Sequence, residues 1–246
     1  AYVFVALATV LYSGALALEA VIGLDVITGI WIIGALSGLY VTYGGLRAVV
    51  WTELIQGTAL LLGALLVFVL SLNALGGWGE FTALSAGKLH TVLPWNDPEM
   101  PWLAVFVGGL WIPNLFYWGL NQFITQRALA ARSLADGQRG TLFAAAIKVS
   151  IPFLIVMPGI MALHLYPDRI KTPDQAYPVL IRDLVPPGLL GIMLAALFGA
   201  VLSTFESLLN SAATIFSLDI YQRHWRPTAE PAQLLRVGRW ATLVLF

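Results

Sequence analysis

The chain has 246 residues, 59% of them hydrophobic and 11% charged, with a mean hydropathy of +0.83. A soluble domain is about 25% charged, so this composition excludes a disordered chain, an ordinary soluble globule and a nucleic-acid binder held by a basic surface. Lysine plus arginine equals aspartate plus glutamate at 13 each, and cysteine is absent, which removes a disulfide framework, a thiol nucleophile and cysteine-ligated metal.

In chain order the apolar runs predict membrane helices over residues 2–18, 26–43, 49–75, 102–125, 141–165 and 188–216, with a seventh beginning at 237 and running to the end at 246. The hydrocarbon core is about 30 Å thick and needs about 20 largely apolar residues per helix. Barrel strands would be about 10 residues of alternating polarity, which these continuous runs are not. The expectation is therefore an all-α, multi-pass integral membrane protein with one transmembrane domain over 1–246. Pro152 and Pro158 fall inside the fifth run and should bend it. The chain starts at Ala1 inside one apolar run and stops at Phe246 inside another, so it reads as an interior piece of a longer transporter-like protein.

The loops between these runs divide by charge. One alternating set carries Arg47, Arg127, Arg132, Arg139, Arg223, Arg226, Arg236 and Arg239. The other carries Lys88, Arg169, Lys171 and Arg182 together with Glu80, Asp97, Glu99, Asp168, Asp174 and Asp183. The positive-inside rule makes the first set cytoplasmic, in the plasma or inner membrane of the cell.

Polar residues inside apolar helices are costly and mark function. Asn114, Tyr117, Trp118 and Asn121 stand at i, i+3, i+4 and i+7 and would share one α-helical face. Amides and amphipathic aromatics suit a neutral polyol, although buried amides also serve as glue between helices. Lys148 lies about two turns into its run and must pair, snorkel or face water. The sixth run carries Ser203, Thr204, Glu206, Ser207, Asn210, Ser211 and Thr214, a source of oxygen for a small hard cation or simply a closely packed helix face. Thr52, Glu53 and Gln56 stand near the cytoplasmic end of the third run. His90, His164 and His224 show no ligand spacing, and no nucleophile–base pair or cofactor motif is visible, so an enzyme is not indicated.

Three stretches carry a family resemblance. Asn114-Leu-Phe-Tyr-Trp-Gly-Leu-Asn-Gln-Phe-Ile-Thr-Gln-Arg127, with Ala128-Leu-Ala-Ala-Arg132 after it, resembles the sodium/solute symporter family in its sodium/glucose and sodium/galactose form. Tyr43-Gly-Gly-Leu-Arg-Ala-Val-Val-Trp-Thr-Glu-Leu-Ile-Gln56 looks like the family's helix-start motif, and Leu208-Leu-Asn-Ser-Ala-Ala-Thr-Ile-Phe-Ser-Leu-Asp-Ile-Tyr221 like the stretch after its sodium site.

The resemblance implies a core of ten helices in two inverted five-helix repeats, of which this chain would hold core helices three to eight and the start of nine. It implies that Asn114 and Lys148 contact sugar, that Tyr117 gates it on the cytoplasmic side and that Trp118 neighbours it; the spacing alone adds Asn121 to this lining. It implies sodium as coupling ion, held by the Ala200 carbonyl, Ser203 and Thr204, and no cofactor. Glu53 stands where many members have aspartate, a position linked to a second sodium in some. Glu206 departs from the usual small residue, and with Glu53 and Ser207 it marks a possible second cation site. The function expected is sodium-coupled symport of a sugar or related polyol by alternating access. The alternatives are symport of an amino acid, carboxylate or nucleoside, or the transporter-like module of a membrane sensor.

Overall fold

The computed structural model describes residues 2–90, 92–98 and 101–245. Glu99 and the final residue of the last expected span lie outside them. Among the described residues every regular element is helical. They form two compact units, Ala1–Leu62 with Pro187–Phe246, and Gly63–Pro186. Four stretches are long and apolar enough to cross a membrane: Tyr2–Glu19, Val26–Leu75, Leu134–Leu165 and Pro187–Trp225, with a shorter apolar stretch at Val105–Leu120.

In the first unit, α1 (Tyr2–Ile22) turns at Gly23 into α2 (Val26–Leu75). Asp25 opens α2 by accepting a hydrogen bond from the Thr28 backbone N–H at 3.1 Å, satisfying a donor that the first helical turn leaves unpaired. The 50 residues of α2 would span about 75 Å as one straight rod, more than twice the hydrocarbon thickness. The helix breaks instead at Gly45, whose φ of 57° and ψ of −162° lie outside the helical region. A side chain there would be strained, and glycine is not.

The core of this unit is α1 against α10 (Pro187–Ile215). Leu7, Ala15 and Leu18 of α1 are buried, on the face that also carries Gly14. At Gly14 the backbones approach so closely that a Cβ would sit 2.2 Å from Val201 Cγ1 and 3.4 Å from Ile33 Cδ1. Close approach through small residues is how helices gain dispersion energy where lipid offers no hydrophobic drive. Beyond α10 the helix widens into a π-helical stretch, Phe216–Trp225, and α11 (Pro231–Leu245) follows. Gly238 of α11 lies against Ser217, whose Oγ would stand 3.2 Å from a Cβ at that position.

In the second unit, α3 (Trp78–Leu84) follows the positive-φ pair Gly76-Gly77. After a loop, Trp102–Leu120 is built of short helical pieces: α4 (Trp102–Ala104), a π turn at Val105–Gly109, α5 (Trp111–Leu115) and a second π turn at Phe116–Leu120. Asn121 leaves the helix with extended backbone and caps α6 (Gln122–Leu129). Ser133 then caps α7 (Leu134–Ile151), accepting from the Asp136 N–H at 3.1 Å.

The two prolines expected to bend the fifth run are absorbed without ending it. Pro152 opens a π turn, Pro152–Val156, and α8 (Met157–Leu165) continues from there. Pro158 has no N–H to give to the carbonyl four residues back, at Leu154. That carbonyl accepts instead from the Tyr177 hydroxyl of α9 (Ala176–Leu184) at 3.3 Å. Burial pushes the Tyr177 phenol up to about 12, so it stays protonated and able to donate. Phe81, Met161, Ala162, Leu180 and Ile181 are buried in this unit. Ser85 and His164 hydrogen-bond at 3.1 Å, and Arg169 pairs with Asp183 through both guanidinium nitrogens.

Two expected outcomes follow. Gly14→Ala should destabilise the purified protein by about 1–3 kcal/mol through overpacking, and Val201→Ala in the same chain should restore most of the loss in thermal melting. Tyr177→Phe should cost about 1 kcal/mol by leaving the Leu154 carbonyl without its donor, whereas Tyr166→Phe, on the neighbouring loop, should cost less.

Candidate functional site

The first candidate group lies in the second unit, and its geometry departs from the regular helix assumed from spacing. Residues 116–120 are π-helical, with about 4.4 residues per turn rather than 3.6, and Asn121 has left the helix with φ −76° and ψ 118°. Asn114, Tyr117, Trp118 and Asn121 therefore do not form a single α-helical stripe. Asn114 uses its amide on its own helix, donating to the Leu110 carbonyl at 2.7 Å. Asn121 is buried, and its Oδ1 accepts from the Phe123 N–H at 3.2 Å as the cap of α6. Its Nδ2 has no partner among the described residues, so both of its N–H donors remain to be satisfied.

Tyr117, Trp118 and Lys148 do come together. The Tyr117 and Trp118 rings meet edge to face, with centroids 5.1 Å apart and planes at 82°. Lys148 Nζ lies 3.9 Å from the Trp118 ring centroid, a cation–π contact between two elements that are neighbours only in the folded unit. An ammonium needs acceptors for three donors, and an aromatic face satisfies its charge while leaving those donors available. Trp118 is 45% exposed in this chain.

The second candidate group lies in the first unit, along α10. Ser203 Oγ and Thr204 Oγ1 both donate to the Ala200 carbonyl, at 3.1 and 2.8 Å. Three oxygens from one helical turn are thereby gathered in one place. One turn on, Ser207 Oγ donates to Glu53 Oε1 of α2 at 2.5 Å, a bond that ties the two helices. Glu206 is 5% exposed and lies within electrostatic reach of Glu53. Its Oε2 has no hydrogen-bond partner among the described residues. So Glu53 shares one locality with Glu206 and Ser207, far along the chain. Among the described residues no cluster of three histidine, cysteine or acidic side chains offers a transition-metal site.

Gln56 is a residue that sequence alone leaves without a role. It stands three positions after Glu53, on the same helical face. Its side chain rests on Gly199, immediately before Ala200, whose carbonyl accepts from Ser203 and Thr204. Sequence marks it as an amide in an apolar run at the end of the Tyr43–Gln56 motif, and its counterpart is a glycine far along the chain.

Comparison with known proteins sets these groups in context. The model of the Sodium:solute symporter family matches residues 1–246. A sodium/glucose cotransporter of Vibrio parahaemolyticus is 39% identical over 99% of this chain and 49% of its own length. A sodium/myo-inositol cotransporter 2 of Homo sapiens is 34% identical over 99% of this chain and 41% of its own. A substrate-bound, outward-open structure of a sodium-coupled sialic acid symporter superposes with a TM-score of 0.85 at 26% identity, over 99% of this chain and 54% of that one. The chain thus spans about half the length of the relatives it matches. Each of these relatives is a transporter rather than an enzyme, and the apolar helices agree with a multi-pass integral membrane protein. The chain belongs to the sodium:solute symporter family.

Proposed function

We propose that the protein of which this chain is a part carries out sodium-coupled symport of a sugar or related polyol by alternating access. The observation that carries the solute class is the assembly of Tyr117, Trp118 and Lys148, with the Lys148 ammonium 3.9 Å from the Trp118 ring centroid. Aromatic faces cover the C–H side of a sugar ring, and ammonium donors bind its hydroxyls. Asn114 and Asn121 complete this lining in the proposal. The names of the glucose and myo-inositol relatives support the same class. The Lys148 charge favours a second reading, a sugar bearing a carboxylate, and the relative named as a sialic acid symporter agrees with it.

In this proposal the Ala200 carbonyl, Ser203 and Thr204 hold the coupling sodium, and the chain supplies the crossings and the cytoplasmic arginine loops expected from its sequence. Sodium moving down its gradient supplies about 2.3 kcal/mol per charge per 100 mV from voltage alone. Glu53, Glu206 and Ser207 form a second cation site in the same proposal. The support is the buried Glu206 oxygen without a hydrogen-bond partner beside the Glu53–Ser207 bond. An unpaired carboxylate in a membrane helix demands a cation or a proton.

Uptake by the full-length protein in liposomes tests the reading. Imposing an inward sodium gradient should stimulate uptake of neutral hexoses or inositols, and a solute panel that excludes them while including sugar acids selects the second reading. Trp118→Ala and Lys148→Ala should each reduce solute affinity by about tenfold or more, and uptake indifferent to a sodium gradient would refute the proposal. For the second site, Glu206→Ser should lower the number of cations moved per solute, and unchanged stoichiometry would dismiss it.

A further inference from the structure

The cation group on α10 does not stand alone, because the second arm of α2 lies along the same turns. Two contacts fix the register of the two helices. Ser207 of α10 bonds Glu53 of α2 at 2.5 Å, and Gln56 of α2 rests on Gly199 of α10. Glu53 and Gln56 are separated by three residues, and Gly199, Ser203 and Ser207 by four each, so each set lies on one helical face. The turn that presents the Ala200, Ser203 and Thr204 oxygens is therefore flanked at both ends by α2 side chains.

Gln56 is in an unusual state for an amide in this position. A Cβ on Gly199 would stand 2.8 Å from Gln56 Cγ and 2.9 Å from its Cδ and Nε2, so the absence of a side chain at 199 is what admits the amide. Gln56 Oε1 is buried and has no hydrogen-bond partner among the described residues. A buried amide oxygen without a partner is destabilising, and a bound cation would remove that penalty. Amide oxygens are ligands that hard cations accept, and this one adds no charge to a locality that already holds two carboxylates. We propose that Gln56 is a further oxygen donor for the coupling sodium, carried on α2 and admitted to the Ala200–Thr204 turn by Gly199. The inference rests on the assignment of sodium to that turn. It gives the site a ligand on a second helix, so sodium binding draws α2 towards α10.

The test uses the full-length transporter, purified and in liposomes, with sodium dependence of uptake and the sodium-induced rise in melting temperature as readouts. Gln56→Leu keeps the shape and removes the oxygen. It should raise the half-saturating sodium concentration at least about tenfold and shrink the sodium-induced stabilisation. Gln56→Glu retains an oxygen and should keep sodium affinity near that of the unaltered protein. Gly199→Ala displaces the amide and should weaken sodium in the same way, and adding Gln56→Leu to it should have no further effect. If Gln56→Leu lowers the sodium-free melting temperature but leaves the sodium-induced increment intact, Gln56 is only a packing residue and the inference is overturned. If Ser203→Ala shifts sodium dependence and Gln56→Leu does not, the Gln56 inference falls alone. If neither shifts it, the sodium assignment falls with it.

Discussion

Hydrogen-bond closure of the backbone is the constraint on which this molecule depends. In hydrocarbon every N–H and C=O must find its partner within the protein, and a continuous α-helix is the cheapest solution. At two places where the chain leaves that solution the cause is identifiable. Gly45 breaks α2 with a conformation open to glycine. Pro158 deprives the Leu154 carbonyl of its donor, and the Tyr177 hydroxyl replaces it. The π turns at Val105–Gly109, Phe116–Leu120 and Pro152–Val156 shift the bonding pattern by one residue and keep the run helical. Such irregularity is affordable where protein rather than lipid surrounds the backbone.

The candidate solute group sits on this irregularity. Trp118 and Tyr117 lie in a π turn that ends at the extended Asn121, and the chain resumes as α6 only because the Asn121 side chain caps it. A wider turn rotates successive side chains away from the α-helical positions. Trp118, inside this turn, meets Lys148, while Asn114, ahead of it, bonds back to the Leu110 carbonyl. The candidate cation group takes the opposite course. It lies within α10, a regular helix of 29 residues, and it is made by hydroxyls that fold back on the Ala200 carbonyl and by α2 side chains laid across them. One group depends on a distorted helix and the other on a regular one closely packed.

Much of this was legible from the residues. Apolar runs of about 20 residues in a chain with few charges allow little but membrane helices. The motif from Asn114 to Arg132 carries the family without any coordinates. The limits are equally concrete. Spacing alone suggested one polar stripe for Asn114, Tyr117, Trp118 and Asn121, because a period of 3.6 is the default and a π turn has no reliable sequence mark. Pro152 and Pro158 were visible as perturbations, but their outcome depended on Tyr177, whose role as a donor only packing reveals.

By itself the sequence determined the membrane environment, the helical class and the family, because each follows from composition, run length and motif order, which are properties of the chain read locally. The tertiary structure decided which polar residues meet. Lys148 reaches Trp118, Ser207 reaches Glu53, and Gln56 reaches Gly199 across intervals of sequence that no periodicity spans. The reason is physical. A helix fixes the positions of its own side chains relative to one another, but the choice of facing helix and its register depends on small residues such as Gly14 and Gly199, whose value is the space they leave.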